Sequence, residues 1–177
     1  MYKETLSKDL TKLRYIEAAA EGSRHFLAKT GFAFLFLVVV FLIASASNGN
    51  DAYAPFVIAA GVCGAYMAMN IGANDVANNM GPAVGSKALT LSAALAIAAT
   101  FEAAGALIAG GDVVKTISKN IISVESFDNE LTFIWAMLSA LLAASLWIHI
   151  ATYVRAPVST THSIVGGVMG AGIGAAG

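Results

Sequence analysis

Of 177 residues, 58% are hydrophobic and 12% are charged, with a net charge of −1 and a mean hydropathy of +0.74. A soluble domain carries about 25% charge and needs polar outer helix faces that are missing here, so a soluble helical core is excluded, and the charge balance leaves no footprint for nucleic acid. Repeated apolar runs rich in Ala, Val, Leu, Ile and Gly predict an all-α, polytopic membrane bundle. The single Cys63 cannot form an internal disulfide and reads as a small core residue.

Residues 1–30 mix both signs of charge, and Leu6, Leu10, Leu13 and Ile16 recur at roughly helical spacing. They predict a short surface helix, with no signal-peptide cleavage site. A first span runs from Gly31 to about Ser47 and has no polar side chain before Ser45, as expected of a lipid-facing anchor. Residues 47–51 form a turn. A second span begins near Tyr53, where Ala59, Gly61, Gly64, Ala65 and Ala68 predict close helix contacts, and it is expected to end or break at Gly72. The third span covers about Leu89 to Ala109 and is closed by Gly110-Gly111-Asp112. Residues 112–130 read as an interfacial helix plus a loop. The fourth span, about Leu131 to Tyr153, carries Trp135, Trp147 and Tyr153 near its ends, as in interfacial aromatic belts. Its internal His149 reads as an interhelical hydrogen-bonding residue. In the last stretch Gly166, Gly170 and Gly174 recur every four residues and predict a close-packing face. The chain stops at Gly177 inside this apolar run, which reads as a piece of a longer protein; residues 157–177 fit either a re-entrant arm or the start of a full span. The Lys and Arg residues of the first 30 positions place that arm in the cytoplasm. Counting spans puts Lys87 and Arg155 on the same side, while Lys115 and Lys119 fall mildly against the rule.

Two polar stretches interrupt these spans. In Gly72-Ala73-Asn74-Asp75-Val76-Ala77-Asn78-Asn79-Met80-Gly81-Pro82, Asn74 and Asn78 are four apart, as are Asp75 and Asn79, so all four share one arc of a helix. An unpaired Asp in a membrane costs at least about 2.5 kcal/mol on insertion scales, and a cation would offset that cost. Gly72 and Gly81-Pro82 are expected to let the helix unwind and free carbonyls as further ligands. The competing reading is a cytoplasmic loop with Asn caps. In the second stretch, Pro157 is expected in a helical first turn, with Ser159, Thr160 and Thr161 beside free N–H groups. That is an anion site in kind, and plain N-capping explains it equally well. His162 either titrates near the site or packs. Neither stretch holds Lys or Arg in its core, so a bound anion needs a co-bound cation, which is the logic of a cation-coupled anion symporter. Glu102, the other intramembrane acid, either faces the same cavity or forms a local pair. A hydrolase built on Ser159, His162 and Asp75 lacks a nucleophile elbow, so no catalytic residue is assigned and the chain reads as no enzyme.

Gly72-Ala73-Asn74-Asp75-Val76-Ala77-Asn78, Gly81, Val84-Gly85-Ser86, Phe101-Glu102 and Pro157-Val158-Ser159-Thr160-Thr161-His162, in that order, resemble the N-terminal repeat of the inorganic phosphate transporter (Pit) family of cation–phosphate symporters. The resemblance covers residues 54–177. It implies inverted repeats, discontinuous or re-entrant helices and a site near the bilayer midplane. Residues 1–30 are then a cytoplasmic arm, 31–53 an extra span with its turn, and 54–177 the first repeat. It further implies substrate contacts from Asn74, Asn78, Ser159, Thr160 and Thr161, a sodium site at Asp75 with Asn74, and an open role for Glu102. Phosphate is the implied substrate and sodium or a proton the coupling ion, with no other cofactor, in the cytoplasmic (inner) membrane. The family's second copy of both motifs is absent, so the expectation is the N-terminal half of a permease that works with a missing second repeat, a partner half or an antiparallel copy. A permease for sulfate or another oxyanion, or a non-transporting membrane subunit, remains as an alternative.

Overall fold

The computed structural model describes residues 26–49, 51–120, 122, 127 and 129–176. Residues 1–25 of the surface helix expected over 1–30 lie outside them, as does most of the loop near 121–128, while residues 26–30 belong to the first long helix. The described residues form five helices and no strand: α1 (Phe26–Asn48), α2 (Ala54–Gly85), α3 (Leu91–Asn120), α4 (Glu130–Tyr153) and α5 (Thr160–Ala176). The first four hold stretches long and apolar enough to cross a membrane. The bundle is all-α, as the composition predicts.

Local chemistry sets the helix ends. A proline opens α2, where its fixed φ suits the first turn and its missing N–H costs nothing. Asn129 caps α4: its side chain accepts the Thr132 amide at 2.8 Å. Helices α2 and α4 both end in a Schellman motif. At the end of α2, the Ala88 amide bonds the Ala83 carbonyl at 3.0 Å and the Lys87 amide bonds the Val84 carbonyl at 3.0 Å. At the end of α4, the Ala156 amide bonds the Ala151 carbonyl at 2.8 Å and the Arg155 amide bonds the Thr152 carbonyl at 3.1 Å.

Helix α2 runs unbroken through Gly72 and Gly81 and carries Pro82 inside it. The expected break is therefore absent. A glycine weakens a helix by about 1 kcal/mol relative to Ala, whereas an unsatisfied backbone group in an apolar medium costs several, so the intact ladder wins. Pro82 has no N–H to offer the Asn78 carbonyl, so one carbonyl beside the polar stretch loses its usual i+4 donor. The same reasoning carries α3 through Gly110-Gly111 to Asn120, where an end was expected.

Helices α2 and α4 run parallel and in register. Tyr53 meets Glu130, Asn70 meets His149 and Asn74 meets Thr152, pairs separated by 77, 79 and 78 residues. Helix α5 returns antiparallel along α4. Met67, Ala144 and Ile148 form the buried centre, with Ile71, Leu141 and Ile164 against it. Ala136, Ala140, Ala144, Ser145, Ile148 and Ala151 are the buried residues of α4, and the small size of all but Ile148 lets backbones approach. At Gly167 the approach is closest, since a Cβ there would lie 2.8 Å from the Ala140 carbonyl oxygen. The predicted glycine face is thus out of phase: Gly166, Gly170 and Gly174 have nothing within 4 Å of a Cβ position, and their neighbour Gly167, about 100° around the helix, makes the contact.

Candidate transport site

Every fourth residue of α2 from Tyr66 onward is polar or amphipathic: Tyr66, Asn70, Asn74 and Asn78. At helical spacing they form one stripe, and the parallel register sets that stripe against the last turns of α4. Two groups of contacts result. Asn70 donates to the Tyr66 carbonyl at 2.9 Å, and its Oδ1 meets His149 Nδ1 at 3.0 Å. That Oδ1 can only accept, so with this amide orientation Nδ1 carries the proton. The His149 ring also stacks on Tyr66, with centroids 5.7 Å apart. Asn78 donates to Asn74 Oδ1 at 2.8 Å, Asn74 donates to Thr152 Oγ1 at 3.2 Å, and Thr152 donates to the Ile148 carbonyl at 2.8 Å. Asn70 and Asn74 are both buried, and these partners keep most of their polarity satisfied.

Asp75 projects from the next position round α2 and leaves this ladder. The Thr160 hydroxyl, in the first turn of α5, donates to Asp75 Oδ1 at 2.6 Å, a length typical of a hydroxyl on a carboxylate. The carboxylate's other oxygen has no partner among the described residues. This one bond joins the two polar stretches, across 85 residues of sequence.

The remaining candidates fall around this centre. Ser159 is the N-cap of α5: its Oγ accepts the His162 amide at 3.3 Å and lies 2.7 Å from His162 Nδ1. The first helical turn therefore begins at Thr160, and Pro157 lies before it, outside the helix, a correction to its expected place inside that turn. Thr161 faces elsewhere, into a groove of about 390 Å³ shared with Asp112 and Thr116 of α3. Glu102 is exposed on α3, is not brought to Asp75, and has no hydrogen-bond partner among the described residues. Among those residues no three His, Cys, Asp or Glu side chains converge on a possible metal site, so a cation here would depend on Asp75 and neutral oxygens. A cavity of about 510 Å³ between α2, α4 and α5 is walled by apolar side chains and contains none of the candidates.

Thr152 and Arg155 were not singled out as site residues by sequence. A Thr near the end of an apolar helix usually bonds its own i−4 carbonyl, as Thr152 also does, and its role beside Asn74 depends on register alone. Both motif stretches lie level with the end of α4, because Asn74 pairs with its second-last residue, Thr152.

Comparison with known proteins adds to this geometry. Residues 71–177 match the phosphate transporter family, a range that includes both polar stretches and Glu102. A Helicobacter pylori (strain J99) protein named as a candidate phosphate permease is 47% identical over 169 residues, which is 96% of this chain and 32% of that protein. A similarly named Mycobacterium tuberculosis protein is 48% identical over 126 residues, 71% of this chain and 23% of its own length. The chloroplastic inorganic phosphate transporter 2-1 of Arabidopsis thaliana is 49% identical over 111 residues, 62% of this chain and 19% of its own length. This chain thus spans about a third or less of the relatives it matches. No solved structure matches it. With four helices able to span a bilayer and both polar motifs inside the matched range, the chain is a membrane protein that belongs to the phosphate transporter family.

Proposed function

We propose that this chain is the N-terminal half of a permease that carries inorganic phosphate together with a cation across the cytoplasmic membrane, with its N-terminal arm in the cytoplasm. The observation that carries this reading is the 2.6 Å bond from Thr160 to Asp75. It brings an acid that would be costly in lipid to the start of a helix where the Thr160 and Thr161 amides are left to meet an anion, the His162 amide being capped by Ser159. Asp75 presents its unpartnered oxygen to sodium or to a proton, and Asn74 Oδ1, which accepts a single bond from Asn78, offers a neutral ligand nearby. Asn78, Ser159, Thr160 and Thr161 supply amide and hydroxyl groups for phosphate. A second repeat in the remaining length of the permease would close the other side of the cavity. A hydrolytic role is disfavoured, because Ser159 is occupied as a helix cap and Asp75 bonds Thr160, not His162.

The test uses the full-length permease in proteoliposomes with a sodium or proton gradient and labelled phosphate. Wild type is expected to accumulate phosphate only when one of the gradients is present, and Asp75→Asn is expected to abolish accumulation. Unaltered uptake in Asp75→Asn would remove Asp75 from the coupling role. Absence of phosphate uptake by wild type, with uptake of sulfate in its place, would replace the substrate.

A further inference from the structure

A pocket of about 150 Å³ lies between α2 and the turn that follows α4, lined by Asn74, Asn78, Thr152, Arg155 and three alanines. We propose that it is the outer, oxyanion-facing edge of the transport site, joined through Asn74 and Asn78 to the Asp75–Thr160 contact, and that Arg155 is its specificity-determining residue. The proposal rests on the phosphate-transport reading above and extends it to Thr152 and Arg155, which have no role in it.

The lining is suited to an anion. It holds one fixed positive charge and no carboxylate, since Asp75 turns away to Thr160. The amide ladder uses one N–H of Asn78 and one of Asn74, so the second N–H of each has no protein acceptor among the described residues. Asn74 is only 4% exposed, and a deeply buried amide with a spare donor is a group that looks for a ligand. The volume suits a small guest: a water occupies about 30 Å³ of liquid, so the pocket has room for one tetrahedral oxyanion with a few waters.

Arg155 adds an independent observation. Its φ is 60°, the left-handed region that favours glycine at the end of a Schellman motif. A side chain there costs on the order of 1–2 kcal/mol. Lys87 holds the same position at the end of α2 with φ 63°, so a basic residue closes both helices, and what distinguishes Arg155 is the polar pocket it lines. Its guanidinium makes no hydrogen bond or ion pair with any described residue, and it lines the pocket. A planar fork of donors recognises phosphate oxygens in pairs, which a lysine cannot reproduce. The ligand is thus a phosphate-type oxyanion, either free phosphate or the headgroup of an anionic phospholipid.

The test is transport by the full-length permease in zwitterionic vesicles, with purified variants melted in parallel. Without wild-type uptake the phosphate reading itself falls. With wild type active, Arg155→Gln is expected to raise the KM for phosphate about tenfold, the loss of one charge-assisted bond, with Vmax largely kept and Arg155→Lys intermediate. Arg155→Gly separates binding from architecture: it relieves the backbone, so it should raise the melting temperature while raising KM as much as Gln does. Repeating the series with anionic phospholipid in the vesicles identifies the source. A KM defect already present in zwitterionic vesicles marks free phosphate, and one that emerges only with anionic lipid marks a headgroup. Unchanged KM in all three variants under both lipid conditions, or a lowered melting temperature in Arg155→Gly, would overturn the proposal.

Discussion

Asn70 and His149 meet at 3.0 Å across the α2–α4 contact, and the pair takes no part in the proposed binding groups. Replacing Asn70 with Ala leaves His149 Nδ1 without its acceptor. Interhelical hydrogen bonds of this kind contribute about 0.6 kcal/mol on average and at most about 1.7. Asn70→Ala is therefore expected to lower the melting temperature of the full-length protein in detergent by a few degrees at most, with the KM for phosphate unmoved. A large KM change would mean that the ladder from Asn70 to Thr152 acts as one unit. Polarity out of place made Asn74, Asp75 and Asn78 legible in sequence, because such side chains are costly in an apolar span. Asn70 and Thr152 carry the same ladder yet were not legible. Each has an ordinary local partner, its own i−4 carbonyl, and their meetings with α4 and α2 depend on a register set almost 80 residues away.

At the scale of helices, the adjacent glycines of α5 should respond oppositely to one added methyl group. A Cβ at Gly167 lies 2.8 Å from a backbone oxygen of α4, which cannot swing aside as a side chain would. Gly167→Ala is expected to destabilise by about 1–3 kcal/mol, the usual cost of overpacking. Gly166 opens onto free space, so Gly166→Ala is expected to stabilise by up to about 1 kcal/mol through helix propensity. Chemical denaturation of the two variants, side by side, checks the sign. Equal destabilisation would show that the Gly166 face is covered in the assembled protein. The spacing of these glycines was legible and their phase was not, because a period of four marks a face without naming its neighbour. The unbroken course of α2 and α3 has a similar origin. Glycine and proline punctuate chains in water, where a freed carbonyl finds a new partner, but an apolar surround removes that partner and the helix persists.

For the molecule as a whole, the parallel pairing of α2 with α4 fixes which ends share a side. Lys87 and Val154 follow the ends of parallel helices, while Gly49 follows α1, which leads into the start of α2. In a Cys63→Ala background, Lys87→Cys and Val154→Cys are expected to react with an impermeant maleimide from one side of the membrane and Gly49→Cys from the other. Labelling of the first two from opposite sides would break the topology. The large exposed side chains of α1 and α3, such as Phe32, Leu107 at 88% exposure and Ile108, are apolar surface that lipid or the rest of a longer permease would cover. The number of long apolar helices was legible from the apolar runs, whereas the ends of α2 and α3, which run on past Gly72 and Gly110, were not. The site's level, at the end of α4, was not, since it follows from how two helices slide against each other.

The junction between Tyr153 and Thr160 has one further electrical consequence. Helix α4 ends there with a pole of about −0.5 elementary charge, and α5 begins there with about +0.5. Arg155 follows the first pole and the Asp75 side chain faces the second, so, with Asp75 ionised, the four contributions cancel and the protein's own charge at the junction is close to zero. If the proposed phosphate site lies here, a phosphate arriving alone would leave it negative by the whole of the phosphate charge. One that arrives with as many monovalent cations as it has negative charges leaves the balance where it began, and the ratio of cation to phosphate then follows the ionisation state of the cargo.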